Sequence, residues 1–453
     1  MQREKKILIV GGGFGGLSAA VTFALANARD QKSGGNKPSK IVLVEADPQL
    51  GGLCGSWDLG EYTIEKFYHQ WYANDPLVKA FLDRVGLGAK MQTYPISTQR
   101  YFNNTDKRIG RAKDVAGVGS LSLIEKARMA LAILRLSLVR DWRKIDAISL
   151  EDFLVPISGK SAYQKLWAPV LANKFGERGK EVSSVWLWQT LKNGRAARGG
   201  DRGTKMMSYF EGGFAALIDQ VNSFLKAHDV DVLTDSPVER IERLDDGRFT
   251  ARIGDEVQEF DQVLLTCAPD IINRICAPSA LKSPLADVPY AGNICLVLRL
   301  SRSLSNSYWT SVVDPEFPFV GLIEHSNFVP PEDYEGDKLV YLSRYIDVQH
   351  PHYSQSDESY FDFCVTAIQR MFPDFDTSWV KGYSVWRTPY GQPVNVANFH
   401  KLTPPERVDD SGLYICNMAQ IYPKFRGTAE ALNNGHLVAE RMLADLAAST
   451  LNA

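Results

Sequence analysis

Net charge is scarce in this chain: 51 Lys and Arg against 53 Asp and Glu over 453 residues leave a formal charge of -2. Without a global basic field to draw nucleic acid, the partner to expect is a small molecule, and nucleic acid is excluded as the main one. Cysteine is sparse as well, and the six residues (Cys54, Cys267, Cys276, Cys295, Cys364, Cys416) form no CxxC pair and no zinc-type spacing. Scattered thiols of this kind argue against a disulfide framework and fit a reducing compartment. Long apolar runs are missing, since no stretch reaches the roughly eighteen uninterrupted residues of a spanning helix. Met1 to Lys6 leads straight into Ile7-Leu-Ile-Val10 and then glycine, too short an apolar run for a secretory signal, so a cytoplasmic location is expected. There is no GxSxG string, no paired-carboxylate motif, no internal repeat, and no cluster with metal-ligand spacing, so no metal is expected.

What is present begins with a βαβ opening. Ile7 to Val10 is a continuous apolar run of the type buried on both faces of a parallel sheet, Leu17 to Ala28 reads as a helix of small residues, and Ile41-Val-Leu-Val-Glu45 is a second buried strand ending in an acid. The polar stretch between them, Asp30 to Lys40, reads as a surface loop. Gly212-Gly213 opens a helix to Ala227, strands are expected near Asp231–Leu233, Val238–Arg243, Phe249–Ile253 and Val263–Thr266, and Leu413–Cys416 followed by a helix over Ala429–Ala448 closes the chain. Ile294–Leu300, Tyr341–Ile346 and Lys381–Arg387 read as strands of a second, antiparallel sheet.

From Leu121 to Trp142 apolar residues recur at helical spacing (Leu123, Ala127, Ala130, Leu131, Leu134, Leu138) among Lys126, Arg128, Arg135 and Arg140. Two uses fit a basic amphipathic helix: packing its apolar stripe on the second domain, or peripheral contact with a membrane surface.

The sharpest local signal is Gly11-Gly12-Gly13-Phe14-Gly15-Gly16, a GxGxxG placed between a strand and a helix. Gly11 permits the tight turn, Gly13 lets the backbone approach a pyrophosphate, and Gly16 lets helix pack closely on strand, while the helix N-terminus offers N–H groups to the phosphates. Phe14 and Gly15 belong to the same contact string. Glu45 is placed to accept ribose hydroxyls, and the polar insert accounts for an interval longer than the usual twenty or so residues.

After Glu45 comes Ala46-Asp-Pro-Gln-Leu-Gly51-Gly52-Leu53-Cys-Gly55-Ser56. Here the chain resembles the FAD-dependent amine oxidase superfamily, which includes protoporphyrinogen oxidase, phytoene desaturase and, more distantly, UDP-galactopyranose mutase. The family's acid at the second strand end and its G-G-x-x-x-S/T element match Glu45, Gly51, Gly52 and Ser56, with Ala46 and Leu53 in the same element. Pro237-Val238 matches the stretch that brings a backbone amide to adenine, and Glu211-Gly-Gly-Phe214 a glycine pair that opens a helix. Leu413 to Met418, and then Arg426-Gly427-Thr428-Ala429, resemble the final strand, loop and helix whose amides face the flavin. Met418 stands where the family often carries an acid. The resemblance implies an α/β fold: a Rossmann-like, GR2-type FAD-binding domain from residues 1–75, 200–270 and 385–453. A second α+β substrate domain, 76–199 and 271–384, would hold the antiparallel sheet and a helical region at 120–195. It also implies non-covalent FAD, with Cys416 the thiol to inspect.

The same resemblance sets Tyr62 to Trp71 near the flavin ring and makes His69 a candidate catalytic residue, for positioning substrate or moving a proton; the competing reading is a hydrogen-bonded structural histidine. Arg387 and Tyr390, beside Trp386, are the other catalytic candidates, as an anion clamp and part of an aromatic wall, with core packing the competing reading. The expected function is FAD-dependent oxidation, a hydride passing from a C–N or C–C unit to flavin N5. The alternatives are a UDP-galactopyranose mutase-like reaction without net redox change, and a membrane-associated desaturase of a lipid or isoprenoid.

Overall fold

Ile7, Leu8 and Ile9 are completely enclosed, and the strand they form, Lys6–Val10, explains why both faces must be apolar. It lies inside a six-stranded sheet of order Val230–Leu233, Lys40–Val44, Lys6–Val10, Gln262–Leu265, Leu413–Ile415, Arg407–Val408. The first five strands are parallel and the last is antiparallel. Because side chains alternate along a strand, Ile7, Ile9, Ile41 and Leu43 pack on helices, while Leu8, Val10, Val42 and Val44 pack on an antiparallel meander. The helices include Phe14–Ser33, Gly213–Ala227 and Thr428–Leu451; the meander is Val238–Arg243, Phe249–Ile253, Glu256–Phe260. This computed structural model describes residues 4–33, 39–102, 105–107, 121–196, 205–314, 316–409 and 412–451. The domain boundary expected at 199/200, the start of the helical region at 120 and part of the expected loop at 30–40 lie outside these described residues.

A second sheet has seven strands, in the order Val380–Pro393, Tyr290–Leu300, Lys338–Ile346, Gly321–Glu324, Trp309–Val312, Thr98–Phe102, Thr105–Lys107. It is antiparallel apart from the parallel pairing of Trp309–Val312 with Thr98–Phe102. Val380–Pro393 is one continuous strand across the boundary expected at residue 385, so residues 385–393 pair in this second sheet. A network on Asp337 ties this sheet to the amino-terminal segment: Asp337 is 1% exposed, Arg299 pairs with it at 2.8 Å, Tyr62 donates its hydroxyl at 2.6 Å, and Lys381 completes the cluster.

The helices Leu123–Leu138, Leu150–Ser158, Lys160–Leu166, Ala168–Phe175 and Ser184–Ala196, the expected helical region, pack around a core that includes Leu150, Leu154, Trp186 and Val394. The first helix starts as its sequence dictates, Ser122 and Glu125 forming a reciprocal capping box. Its buried face differs from the expected one. Met129, Ala132 and Leu136 point inward, whereas Leu123, Ala127, Ala130, Leu131, Leu134 and Leu138 are all exposed. The stripe expected to pack on the protein is therefore the outer one, because this helix carries apolar residues on two faces and the smaller set is the one that packs.

Candidate functional site

Every parallel strand of the first sheet ends on the same edge, and the glycine turn sits there. Gly11 has φ +108°, a left-handed value that favours glycine, and its N–H donates to Val44 O at 2.8 Å. A Cβ on Gly16 would stand 1.9 Å from Gly11 O, which is why helix and strand can approach so closely only without a side chain. Gly13 is different: a Cβ there would meet nothing within 4 Å. The second glycine element is stitched to the first by Gly51 N–H donating to Gly12 O at 2.8 Å and by a bridge between Gly13 and Gly51.

Glu45 accepts Gly12 N–H at 2.7 Å on Oε2 and Asp47 N–H at 3.0 Å on Oε1. Each carboxylate oxygen retains a lone pair, so ribose hydroxyls remain admissible partners. Ala46 is exposed beside it, Leu53 lies in the tight turn Gly52–Cys54, and buried Ser56 pairs with Glu65 across a short hairpin. Val238 faces Ile253, and a bulge follows it between Val238 and Arg240.

At the carboxy-terminal end, Asn417 caps a short turn at Met418–Ile421, and Gly427 again faces open space. Thr428 Oγ1 accepts Trp71 Nε1–H at 2.6 Å, and Ala429 is buried behind it. The two helix starts converge, since a Cβ on Gly15 would lie 3.6 Å from Cys416 Sγ and 3.8 Å from Ala431 O. Cys416 is thus turned toward Gly15, and burial pushes its thiol up to about 12.

Of the three catalytic candidates, His69 lies in the aromatic segment at this edge. Its Nδ1 is 2.7 Å from Phe67 O, its ring centre is 5.8 Å from that of Phe214, and desolvation, with a small push from Arg426, brings its pKa down to about 4. Neutral imidazole is the form present near neutral pH, so the ring can position a partner but is a poor proton donor.

Arg387 stands on the other face of its strand from Trp386. Along Val380–Pro393, Trp386 packs on the core that includes Phe14 and Phe214, while Val385 and Arg387 point to the opposite face, where Arg387 binds Asp357 Oδ1 at 2.5 Å and Gln355 O at 2.8 Å. Tyr390 donates its hydroxyl to Asp270, at the start of the helix after strand Gln262–Leu265, and its ring meets Tyr290 edge-on at 5.4 Å. Trp386 itself is joined by Trp57, with ring centres 6.4 Å apart, and by Lys66 Nζ at 4.8 Å from its ring.

Two groups that sequence reasoning did not pair meet here. Lys174 and Arg426 line one small cavity with Phe175, Trp186, Met418 and Phe425. A lysine within a helical stretch carries no local signal that it will meet Arg426, far along the chain.

An open cradle in front of Gly13 and Gly427, two convergent helix starts and an acid at the second strand end are the features a dinucleotide needs. The model of the flavin containing amine oxidoreductases matches residues 14–443. The chain belongs to the flavin-containing amine oxidoreductase family. FAD is accordingly its cofactor, and its class is FAD-dependent oxidoreductase. Among curated proteins it is similar to the carotenoid phi-ring synthase of Streptomyces griseus, 23% identical over 322 residues, which are 67% of this chain and 59% of that protein. The match thus spans about three fifths of the relative's length. Among solved structures it is similar to a protein of Exiguobacterium sp. 255-15 assigned as a protoporphyrinogen oxidase, with TM-score 0.75, 17% identity and coverage of 98% and 100% of the two chains. Cyclohexylamine oxidase from Brevibacterium oxydans IH-35A gives 0.72, 15%, and 98% and 100%; reduced UDP-galactopyranose mutase gives 0.72, 14%, and 97% and 96%. At these identities the likeness shows the fold shared by the family.

Proposed function

We propose that the protein oxidises an organic substrate at a C–N or C–C unit, with a hydride passing to N5 of FAD. The observation that carries this reading is the make-up of the site: aromatic and positioning groups surround it, and burial holds the His69 imidazole near pKa 4. When FAD accepts the electrons, the chain has only to bind, orient and exclude water. Trp386 and Trp57 supply a wall, Lys66 lies over Trp386, and the Tyr62–Asp337–Arg299 network holds the wall against the amino-terminal segment. The test is an anaerobic screen of amines, porphyrinogens, polyenes and nucleotide sugars on the holoenzyme, followed by flavin absorbance. Bleaching by one class is the expected result; turnover of a nucleotide sugar with no bleaching would replace oxidation with a mutase reaction.

A second reading concerns delivery. The outward leucines of Leu123–Leu138, set among arginines, favour a peripheral membrane contact through which a lipid or isoprenoid substrate would reach the site.

A further inference from the structure

Lys174 ends the helix Ala168–Phe175, and Arg426 lies just before the closing helix Thr428–Leu451; the fold brings them to one cavity of about 40 Å3. That space is roughly what three water molecules or one carboxylate group occupy. Arg426 Nη2 donates to Tyr345 OH, but its Nε is buried with no partner. Among the described residues no hydrogen-bond partner is found for the Lys174 ammonium, which lies 5.3 Å from the Trp186 centroid, 5.4 Å from Phe425 and 5.7 Å from Phe175. Among the described residues no carboxylate pairs with either cation. Asp146, reached through the cavity-lining Tyr422, is occupied by that hydroxyl and by His400, and Lys424 at the wall is paired with Glu430 at 3.1 Å.

Two like charges sheltered from water without a counter-ion are unfavourable, and each lowers the cost of an anion placed between them. Burial, and then Arg426, depress the Lys174 pKa to about 8, as expected of an uncompensated pair. We propose that Lys174 and Arg426 form an acceptor for an anionic group on the substrate, a carboxylate or phosphate oxygen, which fills the cavity bounded by Phe175, Trp186 and Phe425. The inference rests on the oxidase reading of the site and narrows it: a free amine is repelled at this end, and an organic acid or phosphate ester is drawn in.

The experiment uses the FAD-loaded full chain and three probes, phenylacetate, phenyl phosphate and benzylamine, titrated against flavin absorbance and tryptophan fluorescence. Phenylacetate or phenyl phosphate is expected to bind and benzylamine to bind at least tenfold more weakly, the better anion identifying the source chemistry. Lys174→Met is expected to weaken the anion at least tenfold at unchanged flavin content, and Arg426→Gln, next to the flavin-facing turn, to weaken it by a similar factor. Equal anion affinity in folded Lys174→Met, or preference for benzylamine, overturns the proposal. So does a variant that shifts the flavin potential while anion binding stays intact, because the cations would then serve the cofactor. If Arg426→Gln does not fold, Lys174→Met alone carries the test. Probe binding is read without turnover, so a failure of the oxidation reading is distinguishable from a failure of this one.

Discussion

Tyr209 donates its hydroxyl to both oxygens of Glu65, at 2.7 and 2.9 Å, and Glu65 Oε1 also accepts Phe214 N–H at 2.8 Å, at the start of the helix Gly213–Ala227. One fully enclosed carboxyl therefore joins the hairpin after the second glycine element, the strand Lys205–Phe210 and a helix N-terminus. Desolvation outweighs those donors and raises its pKa. Tyr209→Phe keeps the packing and removes the donor, so the loss should be that of a buried hydrogen bond to an acid, about 2 kcal/mol. Urea unfolding should show a lower midpoint at unchanged slope, and an unaltered midpoint would sink the claim.

Gly16 and Gly13 make a contrasting pair. Gly16→Ala drives a methyl into Gly11 O at 1.9 Å, so the strand–helix junction must open, and the variant should fold poorly or not at all. Gly13→Ala meets no protein atom and should fold with near-native stability. Its methyl enters the space required by the pyrophosphate, and FAD content should drop at least tenfold. Thermal melts and flavin content of the two purified variants separate these outcomes; full flavin in Gly13→Ala would place the phosphates elsewhere.

The glycine turn was legible because its main constraints are local: Gly11 needs a left-handed φ, Gly16 meets Gly11 O, and Gly13 keeps the space in front of it open. The strands Lys6–Val10, Lys40–Val44 and Leu413–Ile415 were legible because burial on both faces demands uninterrupted apolar runs. The placement of Arg387 was not, since alternation says only that it opposes Trp386, and tertiary packing decides which of the two faces the core around Phe14 and Phe214. The same holds for the helix Leu123–Leu138, where both Met129-Ala132-Leu136 and Leu123-Leu131-Leu134-Leu138 have helical spacing. The meeting of Lys174 with Arg426 depends on long-range folding that no spacing encodes.

Glu324 should make stability pH-dependent. It is fully buried, accepts Leu304 and Ser305 N–H at 2.9 and 3.1 Å, and desolvation still raises its pKa from 4.5 to about 7. The folded state therefore binds the proton more tightly than the unfolded chain. Its stabilising contribution is complete below about 4.5 and is lost as pH rises through about 7, by up to roughly 3 kcal/mol. Comparing unfolding midpoints near pH 5 and pH 8 should show this slope in the parent and a flatter one in Glu324→Gln. Equal slopes would remove Glu324 as its source.

Trp386 and Arg387, neighbours in sequence, should differ in what they affect. Arg387→Ala breaks the contact with Asp357 on the far face of the sheet and should lower stability by about 1 kcal/mol with flavin reduction unchanged. Trp386→Ala removes the wall beside Trp57 and should slow substrate-dependent flavin reduction at least tenfold. Stopped-flow reduction on both variants decides the matter, and a slow Arg387→Ala enzyme of native stability would return that residue to the reaction.

The outer face of Leu123–Leu138 is costly unless something covers it. Leu123, Ile124 and Leu138 are 84%, 73% and 69% exposed, and Leu131 and Leu134 about half exposed. Burying a leucine is worth about 1.5–3 kcal/mol, and each basic side chain near an anionic surface about 1 kcal/mol more. Arg135 and Arg140 flank this patch, and both are exposed. Full-length protein should float with vesicles containing phosphatidylserine and less so as salt rises. A Leu131→Ser, Leu134→Ser, Leu138→Ser triple variant should stay at the bottom of the gradient and still fold, because those side chains are about half or more exposed, and Arg135→Glu with Arg140→Glu should lose most of the binding. Flotation that survives both sets of changes would mean the helix is not the attachment point, and no flotation of the parent would leave its leucines without a lipid role.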